Sequence, residues 1–416
     1  MLKTQQSDLT DRGQLTVNVT NNLNIPIQNA TISISYSGIP DNILEQIVTD
    51  RQGFSPSVEL NAPPIELSLD ESNIIQPYAE YSIYVEAPGY EPKDISGIEI
   101  LSDTASMQPV TLNPLTSSLP SDIVIPAHTL YGDYPSKIPE AEIKPVNESG
   151  EIVLSRVVVP ETIVVHDGTP SDSTARNYYV SYTDYIKNVA SSEIYATWPE
   201  STITANILAI MSFTLNRVYT EWYRNKGYDF TITSSTAYDH KWIYGRNIFD
   251  SISRIVDEIF DQYLARPGVK QPILTQYCDG RRVTCPNWMS QWGSKTLGDQ
   301  GYSPIEIIRN YYGSSMYVNT ADQISGIPSS WPGYNLTIGS SGDKVRQMQE
   351  QLNRIAEVYT AIPVIAADGI FGNDTRNAVI EFQNIFGLPK TGIVDFKTWY
   401  KISQIYVGIT RIAELN

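Results

Sequence analysis

The spacing of apolar residues changes period along this chain, and no single sheet or bundle satisfies both periods. Between about Gly13 and Pro114 apolar and polar residues alternate: Leu15, Val17 and Val19, then Ile32 and Ile34, then Tyr81, Ile83 and Val85. Period two puts one strand face in a core and the other in water. Asn21-Asn22, Asp50-Arg51-Gln52-Gly53 and Pro88-Gly89-Tyr90 supply turns between these runs, so the segment predicts a small β-sandwich. Farther on the spacing becomes helical. Ile203, Ile207, Ile210, Met211, Leu215 and Val218 form one broad apolar face, and Thr197-Trp198-Pro199-Glu200 before them has the pattern of a capping box. A second helix is expected over about 248–263, with Ile252, Ile255, Val256, Ile259 and Phe260 inward, and a third over 304–312. Strand-like runs at 157–159 and 163–165 make this middle segment mixed α+β.

Two further stretches complete the division. From Leu115 to Arg156 proline recurs (Pro120, Pro126, Pro135, Pro139, Pro145) and periodicity fades, as in a linker or an extended strap open to proteolysis. Near the end, Val345, Met348, Leu352 and Ile355 form one helical stripe and Ala378, Val379 and Phe382 another. The turn Asp368-Gly369-Ile370-Phe371-Gly372 separates them, Gly387 to Gly392 closes the second, and a short last helix follows at Thr398-Trp399. The expectation is a multidomain α+β chain: a β-sandwich at 1–114, a proline-rich linker at 115–156, a mixed α+β domain at 157–317 and a small three-helix bundle at 334–408.

Composition narrows the partners. Hydrophobic residues make up 41% of the 416, enough for several cores, and the net charge of −17 without a basic cluster argues against nucleic acid. No apolar run reaches the ~18 residues that span a bilayer, so no membrane insertion is expected. Met1 to Arg12 is polar and lacks the apolar stretch of a secretory signal peptide. Cys278 and Cys285 are suited to a local disulfide or a free thiol pair. A zinc site would need two more ligands, and His128, His166 and His240 fall at no finger-like spacing, so no metal or cofactor is expected.

Gly339, Gly342, Val345, Gln349, Leu352, Asp368 to Gly372, Thr375, Ala378-Val379, Phe382-Gln383, Gly387-Leu388, Thr391-Gly392, Val394-Asp395 and Thr398-Trp399 resemble, in order, a three-helix peptidoglycan-binding domain. That resemblance implies binding to bacterial cell wall. Asp368, Phe371 and Gln383 are candidate contacts, although most matched positions have structural roles. Gly13 to Val17, Ile25 to Ala30, the Gly53 turn and Tyr81 to Tyr90 resemble a transthyretin-like sandwich, a module read as a spacer or folding aid.

The middle segment resembles the SpoIID-like lytic transglycosylase family in three blocks. These are Ile186 to Tyr195 with Asn216 to Tyr219, then Ser235 to Tyr238 with Tyr244-Gly245, and Met289-Ser290-Gln291-Trp292-Gly293-Ser294 with Gly301-Tyr302-Ser303 and Ile307 to Tyr312. The resemblance places Glu193 at the catalytic acid, with Tyr219, Tyr244, Gln291 and the Tyr311-Tyr312 pair as candidate sugar contacts. Family members often carry a Gly-His-Gly stretch before the third block, and some bind zinc. Here the stretch is Thr284-Cys285-Pro286-Asn287-Trp288, which puts metal binding in doubt.

One carboxylate suits that chemistry. A glycosidase needs a second carboxylate as base or nucleophile, whereas a lytic transglycosylase uses the C6 hydroxyl of muramic acid and leaves a 1,6-anhydro end. Glu200 is the rival acid, but the capping box accounts for it. The module order is similar to that of clostridial spore cortex-lytic enzymes. It implies a zymogen cut near Arg156-Val157 by a subtilisin-like protease, made in the mother cell and deposited around the spore without a signal peptide. The competing readings are a muramidase or glucosaminidase, and a non-catalytic wall-binding or coat protein.

Overall fold

The computed structural model describes residues 9–115, 122–144, 156–321, 323–324, 332 and 334–410. Pro120, Pro145 and Ser155 lie outside the described residues. Alternation in the first segment becomes a two-sheet sandwich. Its strands are β1 (Asp11–Asn21), β2 (Thr31–Tyr36), β3 (Ile43–Val48), β4 (Val58–Ala62), β5 (Ala79–Glu86), β6 (Lys93–Ile100) and β7 (Ala105–Leu112), with a one-turn helix α1 (Glu66–Leu69) between β4 and β5. Leu15, Val17, Val19, Ile32, Ile34, Tyr81, Ile83 and Val85 are all buried between the sheets.

Each sheet is completed from outside this segment. β8 (Ile123–Val124), from the proline-rich stretch, runs parallel to β6 and extends the order to β3-β2-β5-β6-β8. The central segment supplies Ile248–Phe249, antiparallel to β7, giving a second sheet whose other strands run β7-β1-β4. Buried polar contacts hold this junction. Arg246 Nη1 lies 2.6 Å from Glu99 Oε1, with both side chains almost wholly inaccessible. Asn247 Nδ2 donates to Glu99 O at 2.8 Å and Ser106 Oγ at 3.1 Å, and Gln108 Nε2 donates to Gly245 O at 2.9 Å. The sandwich is therefore stitched to the middle of the chain rather than being a detached spacer.

The central unit is built on α2 (Tyr182–Glu193) and α3 (Glu200–Tyr219). Ser181 caps α2 by accepting the Asp184 N–H, and almost every residue of α2 is buried. The expected capping box at the start of α3 does not form. Pro199 is the N-cap, Thr197 Oγ1 pairs with Ser68 Oγ of α1, and Glu200 bonds Arg254. The expected helix over 248–263 is shorter, α4 (Asp250–Ile259), because the first two residues join the sandwich. Two more helices follow, α5 (Gln291–Asp299) and α6 (Pro304–Tyr312), the latter with a formed Ser303/Glu306 capping box.

The last unit comprises α7 (Asp343–Ala356), α8 (Asn373–Ile385) and α9 (Phe396–Thr410), so its final helix is not short. Two buried glutamines brace it in the same way. Gln349 accepts the Gly369 N–H and donates to Ile370 O and Thr375 Oγ1, while Gln383 accepts the Gly392 N–H and donates to Ile393 O and Thr398 Oγ1. Gln383 and Phe371 are thus interior residues, and Asp368 turns its carboxylate to the Ile370 N–H and to Gln349. Tyr400 of α9 packs on Phe260 of the central unit with ring centroids 4.2 Å apart.

The junction pair is asymmetric. Burial pushes the Glu99 carboxyl up to about 7 against the pull of Arg246, whereas a guanidinium cannot discharge. Glu99→Gln should therefore cost about 3–5 kcal/mol by leaving Arg246 buried without a counter-ion. Arg246→Met should cost clearly less, because Glu99 can take up a proton. Denaturant unfolding of the two variants checks the order, and equal losses would contradict it.

Candidate active site

Glu193 is the last residue of α2, and its side chain is wholly inaccessible. A carboxylate can sit there only if donors meet it, and two separate segments supply them while a third holds the main chain. Lys241 N–H donates to Oε1 at 2.6 Å, the Tyr277 hydroxyl donates to Oε2, and Gln291 Nε2 donates to the main-chain oxygen at 3.0 Å. Burial raises the Glu193 carboxyl above its usual range, and nearby Lys137, the Lys241 N–H and Tyr277 oppose that rise. Burial also holds the Tyr277 hydroxyl well above its ordinary value, so it keeps the proton it donates. The Tyr277 ring stacks on His240, whose Nδ1 is 3.1 Å from Tyr185 Oη.

Tyr277 begins the strand Tyr277–Cys278, which pairs in parallel with Met289–Ser290, the strand leading into α5. Cys278 and Cys285 are disulfide-bonded, their Cα atoms 5.6 Å apart. The loop they close is organised by the buried Asp279 carboxylate, which accepts the N–H groups of Arg281, Arg282 and Val283 and the Arg282 Nε–H.

The strap, residues 122–144, runs over this region. His128 stacks on Tyr195 at 4.5 Å, and Thr129 N–H donates to Ser192 O, beside Glu193. Arg282 donates to the carbonyls of Thr129 and Gly132. Ile138 N–H bonds Ala237 O, and Glu140 N–H bonds Gln276 Oε1 at 2.8 Å. Lys137 donates to Asp239 O, and its Nζ lies 4.8 Å from the centre of the Tyr277 ring.

Of the residues singled out in the sequence, Gln291 meets Glu193. Tyr311 closes against Gly293, where a Cβ would collide with its hydroxyl, and Tyr312 Oη bonds Gln276 O at 2.8 Å. Tyr219 belongs to the central core, and Tyr244 is half exposed, stacked on Tyr178 at 4.8 Å. Arg156 is exposed and Val157 buried. Sequence reasoning missed Tyr277, Lys241 and the strap lysine. Among the described residues no cluster of three His, Cys, Asp or Glu is placed to hold a metal ion.

Residues 341–402 match the model of a putative peptidoglycan-binding domain. The C-terminal unit is a peptidoglycan-binding domain. A stretch of 76 residues is 41% identical to the zinc D-Ala-D-Ala carboxypeptidase of Streptomyces albus G, covering 18% of this chain and 28% of the length of that protein. Among solved structures, the SleB N-terminal domain is 30% identical, covering 18% of this chain and 93% of that one, with a TM-score of 0.16. A 3-chlorocatechol 1,2-dioxygenase from Rhodococcus opacus 1CP is 12% identical over 27% of this chain and 64% of that one, with a TM-score of 0.19. The family match covers residues 341–402, and Glu193 lies outside it.

Two titrations check the site. Tyr277→Phe removes a donor to the Glu193 carboxylate and should raise its midpoint, read by carbon NMR of labelled glutamate; an unchanged midpoint would contradict the bond. Glu140 of the strap is pushed up by burial but held down to about 2 by Arg217 and Lys144. Its pKa is depressed in the folded chain, so its contribution is complete above about 4.5 and is lost as pH falls through about 2. Hydrogen exchange should show strap amides losing protection in that window.

Proposed function

We propose that this chain is the latent form of a peptidoglycan lytic transglycosylase, with Glu193 as its acid and base. The observation that carries the reading is a wholly buried carboxyl, raised above its usual range by burial and held by Tyr277 and the Lys241 N–H. Its proton would pass to the glycosidic oxygen as the bond breaks. The resulting carboxylate would accept the proton of the muramic acid C6 hydroxyl as that oxygen closes on C1. Two other buried carboxylates nearby are already committed. Asp239 accepts from Arg217, Tyr223 and Thr233, and Asp279 organises the disulfide loop. A hydrolase would need one of them as base or nucleophile.

The peptidoglycan-binding domain would hold the enzyme on its polymer. The order of modules, a transthyretin-like sandwich, a strap, a SpoIID-like domain and this binding domain, resembles SleC, the germination-specific spore cortex-lytic enzyme of clostridia. On that resemblance the substrate is cortex peptidoglycan, the site of action is the spore cortex and coat region, and a subtilisin-like protease cuts near Arg156-Val157.

The full chain, cut at that point, should clear suspensions of purified cortex and release 1,6-anhydro ends detectable by mass spectrometry. Glu193→Gln should lower the rate by about 10²–10⁴-fold. Reducing ends in place of anhydro ends would make the chain a hydrolase. Equal clearing by the Glu193→Gln form would remove Glu193 from the chemistry, and no clearing by either form would leave a wall-binding protein. The uncut chain should be much less active than the cut one.

A further inference from the structure

Arg217 near the end of α3 has no accessible side-chain surface and is boxed in by aromatic rings. Its guanidinium carbon lies 4.8 Å from the Phe213 ring centre, 5.1 Å from Trp222 and 5.6 Å from Tyr223. One edge of the fork is fixed from within the central unit: Nε donates to Asp239 Oδ1 at 2.7 Å and Nη2 to Tyr238 O at 3.2 Å. Among the described residues, the other edge is met from the strap. Nη1 donates to Glu140 Oε2 at 2.9 Å and Nη2 to Glu140 Oε1 at 2.6 Å, a two-pronged grip matched to a carboxylate.

Glu140 lies upstream of the proposed cut. Once the strap leaves, two donors of a buried guanidinium face an empty space of carboxylate shape, a costly state unless another anion enters. Lys137, three residues before Glu140, reaches from Asp239 O to the face of Tyr277, the tyrosine bonded to Glu193. The strap therefore connects the Arg217 pocket to the carboxyl that would cut the glycan. The rings are taken up by the guanidinium and, at Trp222, by Lys144 and Lys226, so recognition falls to the guanidinium, which selects a sugar that bears an acid. In peptidoglycan that sugar is muramic acid, through its lactyl group or the acidic stem peptide attached there.

We propose that Arg217, walled by Phe213, Trp222 and Tyr223, is a carboxylate subsite for the muramic acid substituent, occupied in the latent chain by Glu140. The assignment deepens the transglycosylase reading and rests on it for its ligand. The test uses the uncut full chain and needs no turnover. Glu140→Ala empties the subsite and leaves the rest of the strap in place. In a carboxylate-free buffer, D-lactate at millimolar concentration, the acid that muramic acid carries, should raise the Tm of Glu140→Ala by about 2–4 °C, as expected of a ligand that binds only the folded state. Lactamide, which has the shape without the charge, should leave it unchanged, and the wild-type chain should respond to neither. If Glu140→Ala does not fold, Glu140→Ser, which also stops short of the guanidinium, should show the same selectivity. Equal responses to the two probes, equal responses of variant and wild type, or no response to D-lactate would each overturn the subsite. Failure of the Glu193→Gln comparison with this selectivity intact would instead mark a muramic acid-binding protein that does not cut.

Discussion

A carboxyl group sealed from water is the constraint around which the central unit is arranged. Burial without donors would cost several kcal/mol, so the fold brings a main-chain N–H and a tyrosine hydroxyl to its two oxygens, while a glutamine amide fixes the main-chain oxygen of the same residue. Each donor comes from a different stretch of chain, and each stretch is fixed in turn. The Lys241 region is held through Asn188, which donates to Ile243 O and accepts the Ile243 N–H. Tyr277 is held by the strand next to the disulfide, and Gln291 by the first turn of α5. The site is a meeting point of loops braced by helices, and its geometry depends on all of them at once.

The strap and the sandwich extend that seal. The strap's main chain hydrogen-bonds the central unit at 129, 132, 138 and 140, and the side chains of Lys137 and Glu140 are anchored there too. The sandwich accepts a strand from the central unit and shares a buried ion pair with it. These contacts resemble those inside a domain more than those between loosely tethered ones. The peptidoglycan-binding domain is joined differently, through one face of α9 against Phe260 and a Gln404–Thr183 bond.

How much of this was legible follows from how each residue acts. Strands β1, β2 and β5 were readable because one face is wet, so burial alternates in the sequence. Helix α6 was readable because Ser303, Pro304 and Glu306 mark its start. Helix α2, which ends in Glu193, carries no such pattern: it is buried on nearly every side, and a helix without a wet face has no stripe. The capping pattern at Thr197 misled because tertiary partners, Ser68 and Arg254, claimed both side chains. At the candidate site, Lys241 acts through its main chain, which no side-chain pattern reports. Tyr277 is one of 27 tyrosines, and only the fold distinguishes it. Lys137 and Glu140 lie in a stretch whose prolines suggested a passive connection.

The position of the strap before residue 156 changes what proteolysis can accomplish. If the proposed cut near Val157 is made, it severs the chain beyond the strap anchors among the described residues, and the upstream piece would remain docked on the central unit. Its departure requires peeling β7 from Ile248–Phe249 and freeing Glu99 from Arg246. Bond cleavage would then start a clock rather than throw a switch, with the delay set by how slowly one folded piece dissociates from the other.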